Sequence, residues 1–332
     1  MKAAMFDMLP HWTRPDSLLI ALLIDATLGD PQWLYRRLPH PVVWLGRMID
    51  WVDHQLNRAT DTPSRRKITG VAAAAGLFIA ALIVGAILQA ILLTLPGGPI
   101  WLAIAISSLI AQNSLYSHVA AVAGGLETSG AEGGRIAVAR IVGRDPESLD
   151  RAGISRAAIE SLAENFSDGI VAPVFWAALL GLPGILAYKA INTADSMIGH
   201  KTPRHLQFGW AAARLDDLLN IIPARLSGLL LVLAALVTPA THAEKSLSAM
   251  WRDASKHRSP NAGWPEAAMA GALGLALAGP RRYHDVLVMD HWMGSGGTPY
   301  ASATDIRRAL RLYVAACVIQ AAILLIMTWV SH

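Results

Sequence analysis

The sequence predicts an all-α, polytopic membrane protein with broken or re-entrant helices and a polar cytoplasmic face, on three observations. Hydrophobic residues fill 54% of the 332 positions and charged residues only 16%, against about 25% charged in an ordinary soluble domain. Apolar runs as long as a bilayer core is thick recur along the chain. Lys and Arg gather in the polar segments between those runs, the bias seen on the cytoplasmic side of membrane proteins. The net charge of +4 therefore reads as topology. With no basic run longer than Arg65-Arg66-Lys67, nucleic acid is not an expected partner.

In chain order, Asp7, Pro10 and Arg14 precede the first apolar stretch and no A-x-A pattern follows it, so no cleaved signal peptide is expected. Residues 17–28 are apolar but short and contain Asp25. A central aspartate costs roughly 2.5–3.5 kcal/mol on insertion, so Asp25 should face protein or water. Residues 68–95 and 99–123 are each long enough to span, joined by the uncharged turn Leu95-Pro96-Gly97-Gly98-Pro99. Arginines crowd 29–67 and 127–169, which places that turn away from the cytoplasm. Residues 170–191 are interrupted by Pro173, Gly181, Pro183 and Gly184, and 226–240 is short. Like 17–28, each is a short span, a re-entrant piece or a buried helix. A full crossing at 170–191 would separate the polar stretches 160–169 and 192–225, so a broken or partly inserted helix is expected. The segment 241–308 holds a small-residue helix over 266–278 and the flexible loop Gly294-Ser295-Gly296-Gly297. Residues 309–330 form the third full span. Cys317, the only cysteine, excludes an intrachain disulfide or a Cys-based zinc site. A single membrane-embedded domain over 1–332 is expected.

Four polar constellations border the apolar runs. On a helix over 154–168, Arg156, Glu160, Glu164 and Asp168 follow at four-residue steps with Asn165 beside them, and Gly169 would end the helix. Three neighbouring carboxylates repel unless a cation intervenes, and Mg²⁺, which takes oxygen ligands, suits them. A solvated face with an Arg156–Glu160 pair is the bland alternative. Asn192, Thr193, Asp195 and Ser196 directly follow apolar residues, where polar groups without partners cost about 1–3 kcal/mol each. They are either a site, with Lys201 close behind, or a helix cap. In Arg214-Leu215-Asp216-Asp217-Leu218-Leu219-Asn220, Asp216 and Asn220 are i,i+4 and Asp217 and Asn220 i,i+3, so either pair can converge on one ion. Arg252, Lys256, His257 and Arg258 form a cationic cluster before Ser259-Pro260-Asn261-Ala262-Gly263. That turn's N–H groups suit phosphate, and the cluster equally suits anionic lipid. No H-E-x-x-H and no G-x-x-x-x-G-K-[ST] occurs, which argues against a zinc hydrolase or a P-loop ATPase.

Taken together, these stretches closely resemble the adenosylcobinamide-phosphate synthase family of integral membrane proteins. The match rests on Gly29-Asp30-Pro31, Pro39-His40-Pro41-Val42, Val142-Gly143-Arg144-Asp145, Glu160-Ser161-Leu162-Ala163-Glu164-Asn165 with Asp168-Gly169, Tyr188-Lys189-Ala190-Ile191-Asn192-Thr193 with Asp195-Ser196-Met197, Ala213-Arg214-Leu215-Asp216-Asp217, Pro223-Ala224-Arg225-Leu226, and Ser259-Pro260-Asn261-Ala262-Gly263 with Pro265-Glu266-Ala267-Ala268. Each is weak alone, and the ordered set is specific. The resemblance implies a multi-pass protein of the bacterial cytoplasmic membrane. It also implies ATP-dependent amide formation between adenosylcobyric acid and 1-aminopropan-2-ol or its O-phosphate. On that reading Glu160, Glu164, Asp168, Asp216 and Asp217, with Asn220, hold Mg²⁺ and ATP. Arg214 and Lys201 take phosphate oxygens, Asn165 and Asn192 assist, and Asp195 takes the amine proton. Arg252, His257 and Asn261 are expected to bind the aminopropanol phosphate or corrinoid side chains. Expected partners are the lipid bilayer and other corrinoid-pathway proteins. The rival readings are a transporter, which the missing inverted repeat disfavours, and a Mg-dependent intramembrane phospho- or prenyltransferase, whose paired aspartate motifs are lacking.

Overall fold

The computed structural model describes residues 15–142, 146–283, 286–288 and 290–331. The stretch ahead of Pro15 and the Gly143-Arg144-Asp145 part of one motif lie outside the described residues. The helices are α1 (Pro15–Leu28), α2 (Gln32–Tyr35), α3 (Pro41–Leu56), α4 (Pro63–Thr94), α5 (Gly98–Ser107), α6 (Gln112–Val138), α7 (Arg151–Phe166), α8 (Ala172–Ile198), α9 (Trp210–Leu219), α10 (Ile221–Val237), α11 (Ala243–Asp253), α12 (Gly263–Leu273) and α13 (Ala303–Ser331). Four short strands, β1 (Leu277–Ala278), β2 (Arg281–Tyr283), β3 (Val286–Val288) and β4 (Trp292–Met293), pair antiparallel as β1 with β4 and β2 with β3. The fold is thus the helical, polytopic one expected. Among the described residues, four helical runs are long and apolar enough to cross a membrane: Pro63–Thr94, Gly98–Val138, Arg151–Ile198 and Ala303–Trp329. The bent pair α9 and α10 is a fifth candidate.

The chain divides into two compact units, residues 1–111 with 172–220 and 324–332, and residues 112–171 with 221–323. In the first unit α8 and α9 pack on α4. Ile79, Ile83, Ile87 and Ile91 of α4, at four-residue steps, are each more than half exposed. In water such a stripe would be a liability, and in lipid it is the natural outer face. On the packed side Gly85 admits Pro183, whose Cα would lie 2.5 Å from any added Cβ.

The segment 170–191 is broken as expected, and sharply. In a straight helix residues eight apart are about 12 Å apart along the axis. Yet a Cβ on Gly184 would collide with the Trp176 carbonyl, and Ala172 shares a buried cluster with Tyr188 and Ile191. The chain therefore folds back at Gly181, whose φ of +67° and ψ of −151° suit only glycine. Gln89, buried in α4, accepts the Leu182 N–H at 2.8 Å, capping the second arm. Pro183 in that arm's first turn has no N–H to satisfy. This hairpin returns the chain to the level at which it entered.

The expected span 99–123 lies within the candidate crossing Gly98–Val138, which has a break inside it: the hydroxyls of Ser107 and Ser108 bond back to Ile104 and Ala105 carbonyls, and i−3 bonds from Leu109 and Ile110 close α5. α5 alone covers about 15 Å. Other expectations need correction. Gly169 does not end the helix at 168, because a π-helical turn, Ser167–Val171, carries the backbone on into α8. The short run at 226–240 belongs to α10. The helix expected over 266–278 is α12, which stops at Gly274 in the left-handed conformation.

In the second unit α12 is almost wholly buried, and α10 and α11 pack on it. Its Ala and Gly residues permit that approach, since a Cβ on Gly271 would collide with the Lys245 carbonyl of α11. Ser246 donates to the Ala268 carbonyl at 2.8 Å, fixing the register of the two helices.

Candidate functional site

The first unit gathers one constellation on the second arm of α8 and on α9. Asn192 donates to Asp216 at 3.2 Å and Asn220 donates to its other oxygen at 3.0 Å. Tyr188 in turn donates to the Asn220 side-chain oxygen Oδ1 at 3.0 Å. Asp216 is 8% exposed, and no cation pairs with it among the described residues. The expected Asp216–Asn220 convergence is present. Asp217 accepts from Arg214 at 2.8 Å and feels the charge of Lys201. Asp195 lies within electrostatic range of Asp216, Asp217 and His200. The helix-cap reading of Asn192 and Thr193 fails: α8 runs on to Ile198, with Thr193 bonded back to Lys189 and Ser196 to Asn192.

Sequence reasoning missed the clasp that holds the 199–209 loop carrying Lys201. Asp53, buried at the end of α3, accepts from Arg204 at 2.9 and 2.6 Å and from Asn57 at 2.7 Å. Arg66 reaches the Arg204 carbonyl and Asn57. Burial alone would raise the Asp53 pKa, but the bonds from Asn57 and Arg204 hold it below the usual carboxylate range.

In the second unit the α7 stripe separates by role. Glu160 is buried and its Oε1 accepts the Ala278 N–H at 2.8 Å, while Arg156 donates to the Pro299 carbonyl and lies over the Trp292 ring. Both therefore hold the β1–β4 region, and the surface Arg156–Glu160 pair of the bland alternative is not formed among the described residues. Glu164 and Asn165 are exposed and Asp168 is half-buried. Asn165 donates to the Ser161 carbonyl at 2.9 Å.

The fourth constellation is also rearranged. Ser259 Oγ accepts the Asn261 and Ala262 N–H groups at 3.2 and 3.1 Å, so this turn spends on itself the donors expected to meet phosphate. His257 is folded into the same turn, with Nδ1 3.1 Å from Ser259 N and Nε2 3.7 Å from Glu266, and Asn261 is buried. Arg252 alone of the three expected binders presents its head outward. Its anchor is a residue the sequence did not mark: Asp253, fully buried, accepts from Arg252 at 3.0 and 2.7 Å and from Lys256 at 3.1 Å. It also accepts the Gly294 and Ser295 amides at 3.1 and 3.0 Å. The expected flexible glycine loop is thus tied down.

Among the described residues no three His, Cys, Asp or Glu side chains converge as a ready metal cage. Mg²⁺ does not need one, since it is commonly held by one or two carboxylates with waters and substrate phosphates. The first-unit donors are all oxygen, and each Asp216 oxygen keeps a lone pair beyond the amide it accepts, so the residues fit such an ion.

A family model described as CobD/Cbib protein matches residues 18–313. The chain is 51% identical to a cobalamin biosynthesis protein CobD from Sinorhizobium sp, over 93% of this chain and 96% of the relative. It is 52% identical to a protein of the same name from Brucella suis, over 89% and 91%. A third, from Rhodobacter capsulatus, is 47% identical over 89% and 91%. No solved structure matches.

Proposed function

Because the chain belongs to the CobD/Cbib family of cobalamin biosynthesis proteins, we propose that it is an ATP-dependent acid–amine ligase of the bacterial cytoplasmic membrane. It joins the propionate carboxylate of adenosylcobyric acid to 1-aminopropan-2-ol or its O-phosphate. A carboxylate is a poor electrophile, and ATP activates it by forming an acyl phosphate, which the amine then attacks with release of phosphate. The observation that carries this reading is Asp216, a buried carboxylate bonded by two neutral amides and by no cation among the described residues, with Asp195 and Asp217 nearby. Removing a charge from water without pairing it is costly, so such a group is poised for a cation brought from outside.

Asp216 and Asp217 would hold Mg²⁺, which when bound neutralises charge developing on the transferring phosphoryl group. Arg214, already fixed by Asp217, and Lys201, carried on the loop clasped by Asp53, bind phosphate oxygens. Asp195 takes the proton that the amine loses as its nitrogen lone pair attacks the acyl phosphate. Tyr188 and Asn192 position Asp216 without touching substrate.

Mass spectrometry of adenosylcobyric acid incubated with detergent-purified protein, Mg²⁺, ATP and either amine tests this reading. Amide product that disappears without ATP supports it. No product with either amine from folded protein overturns it.

A further inference from the structure

A cavity of about 430 Å³ opens in the second unit between α11, the end of α12 and the Gly294–Gly297 loop. Its size falls in the range of small-molecule sites. Lys245, Ser248 and Arg252 line it from α11 at steps of three and four residues, hence from one face of that helix. Arg252 commits Nε and Nη2 to Asp253 and the Ser295 carbonyl, leaving Nη1 without a partner among the described residues. Lys245 makes no ion pair among them either, and the Ser248 hydroxyl no hydrogen bond.

The loop opposite is shaped for close backbone approach. Added Cβ atoms on Gly294 or Gly297 would collide with the Leu275 backbone, so both must be glycine to lie against it. Gly296, at φ +92°, has open space at its Cβ position. The buried Asp253 holds this loop and Arg252 in one rigid arrangement, which lowers the entropy lost when a ligand binds. Glu244 lines the same cavity two turns from Arg252. A cavity with one unpaired ammonium (Lys245), the free Nη1 edge of a guanidinium paired to Asp253, a hydroxyl and one distal carboxylate is complementary to a small molecule with an anionic group and an ammonium, and less so to a polyanionic nucleotide.

We propose that this pocket binds a phosphate monoester that also carries an amine, its phosphate on Arg252, Lys245 and Ser248. Resting on the ligase reading, the ligand is the phosphorylated amine donor, 1-aminopropan-2-ol O-phosphate.

Calorimetric titration of the full-length protein in detergent tests the pocket directly. The O-phosphate should bind and the free amino alcohol should not. Lys245→Gln should weaken binding about tenfold or more, as expected for loss of a charge-assisted hydrogen bond, and Lys245→Arg should restore most of it. Because Lys245 supports no ion pair among the described residues, Lys245→Gln should melt with the wild type; Ser248→Ala, expected to weaken binding less, gives a second reading. Equal binding of the free amino alcohol, tighter binding of ATP at this place, or an affinity indifferent to both substitutions would overturn the proposal. Binding without any amide formed would sink the ligase reading alone. Amide formed from the O-phosphate with an unchanged donor KM in Lys245→Gln would sink the pocket alone.

Discussion

Two buried aspartates, one in each unit, are solvated by the protein in opposite ways. Asp253 is closed off from solvent and receives a guanidinium, an ammonium and two backbone N–H groups. Asp216 is nearly as buried and receives two neutral side-chain amides. The first carboxylate is fully matched, so its charge is spent on holding the Arg252 head and the glycine loop in place. The second is hydrogen-bonded but meets no cation among the described residues. Burial alone does not separate two such carboxylates; the charge of the partners does.

Four experiments break or sharpen that contrast. Asp253→Ala should be the most damaging change, destabilising by about 3–5 kcal/mol because it strands a cation network built around a buried charge. Thermal unfolding in detergent reads it, and a melting temperature indistinguishable from wild type would end the anchor interpretation. Asp216→Asn keeps the shape and removes the charge. Turnover should fall about 10²–10³-fold, the scale for removing one electrostatic stabiliser, with the melting temperature unchanged or higher. If Asp216→Asn melted as low as Asp253→Ala, the two residues would not differ in kind.

Third in size is Gly181→Ala at the tip of the α8 hairpin. The glycine-only backbone there costs about 1–3 kcal/mol for a residue with a Cβ, and the Cβ would also strike Gln89. A fall in melting temperature without loss of bound substrate is expected. Unchanged stability would mean that the chain does not reverse there.

The smallest effect is on the acid limb. Burial pushes the Asp253 carboxyl up, but Arg252, the Ser295 amide and Lys256 outweigh it and hold the pKa well below the usual range. A lowered folded pKa means that its stability contribution is complete above the unfolded value, about 4, and is lost as pH falls from there toward the folded value. Stability of the wild type should therefore decline below about pH 4 more steeply than that of Asp253→Asn, and parallel pH profiles would contradict the assignment.

Features set by neighbouring residues are legible in the sequence. α4 and α13 follow from unbroken apolar length, the break at 170–191 from Gly181 and Pro183, and the Asp216–Asn220 bond from i,i+4 spacing, which a helix enforces whatever surrounds it. The α7 stripe shows the limit of that logic. Spacing places Arg156 next to Glu160, yet Glu160 answers to Ala278 and Arg156 to Pro299, both more than a hundred residues away. Likewise nothing near Asp253 in the chain announces Gly294 and Ser295, and nothing near Asp53 announces Arg204. Backbone donors of a distant loop carry no side-chain signature, so a buried carboxylate that binds them looks like any other acidic residue.

The sequence by itself determined the membrane class, the helical content, the family and the polar segments in which chemistry is sought, because hydrophobic length and i,i+4 geometry are properties of a chain segment alone. Only the tertiary structure decided which buried carboxylates meet cations and which meet neutral amides, and that the glycine loop is anchored beside a cavity lined by Lys245 and Arg252. Those outcomes depend on which donors from remote segments arrive at a buried charge, and desolvation makes that arrival decisive.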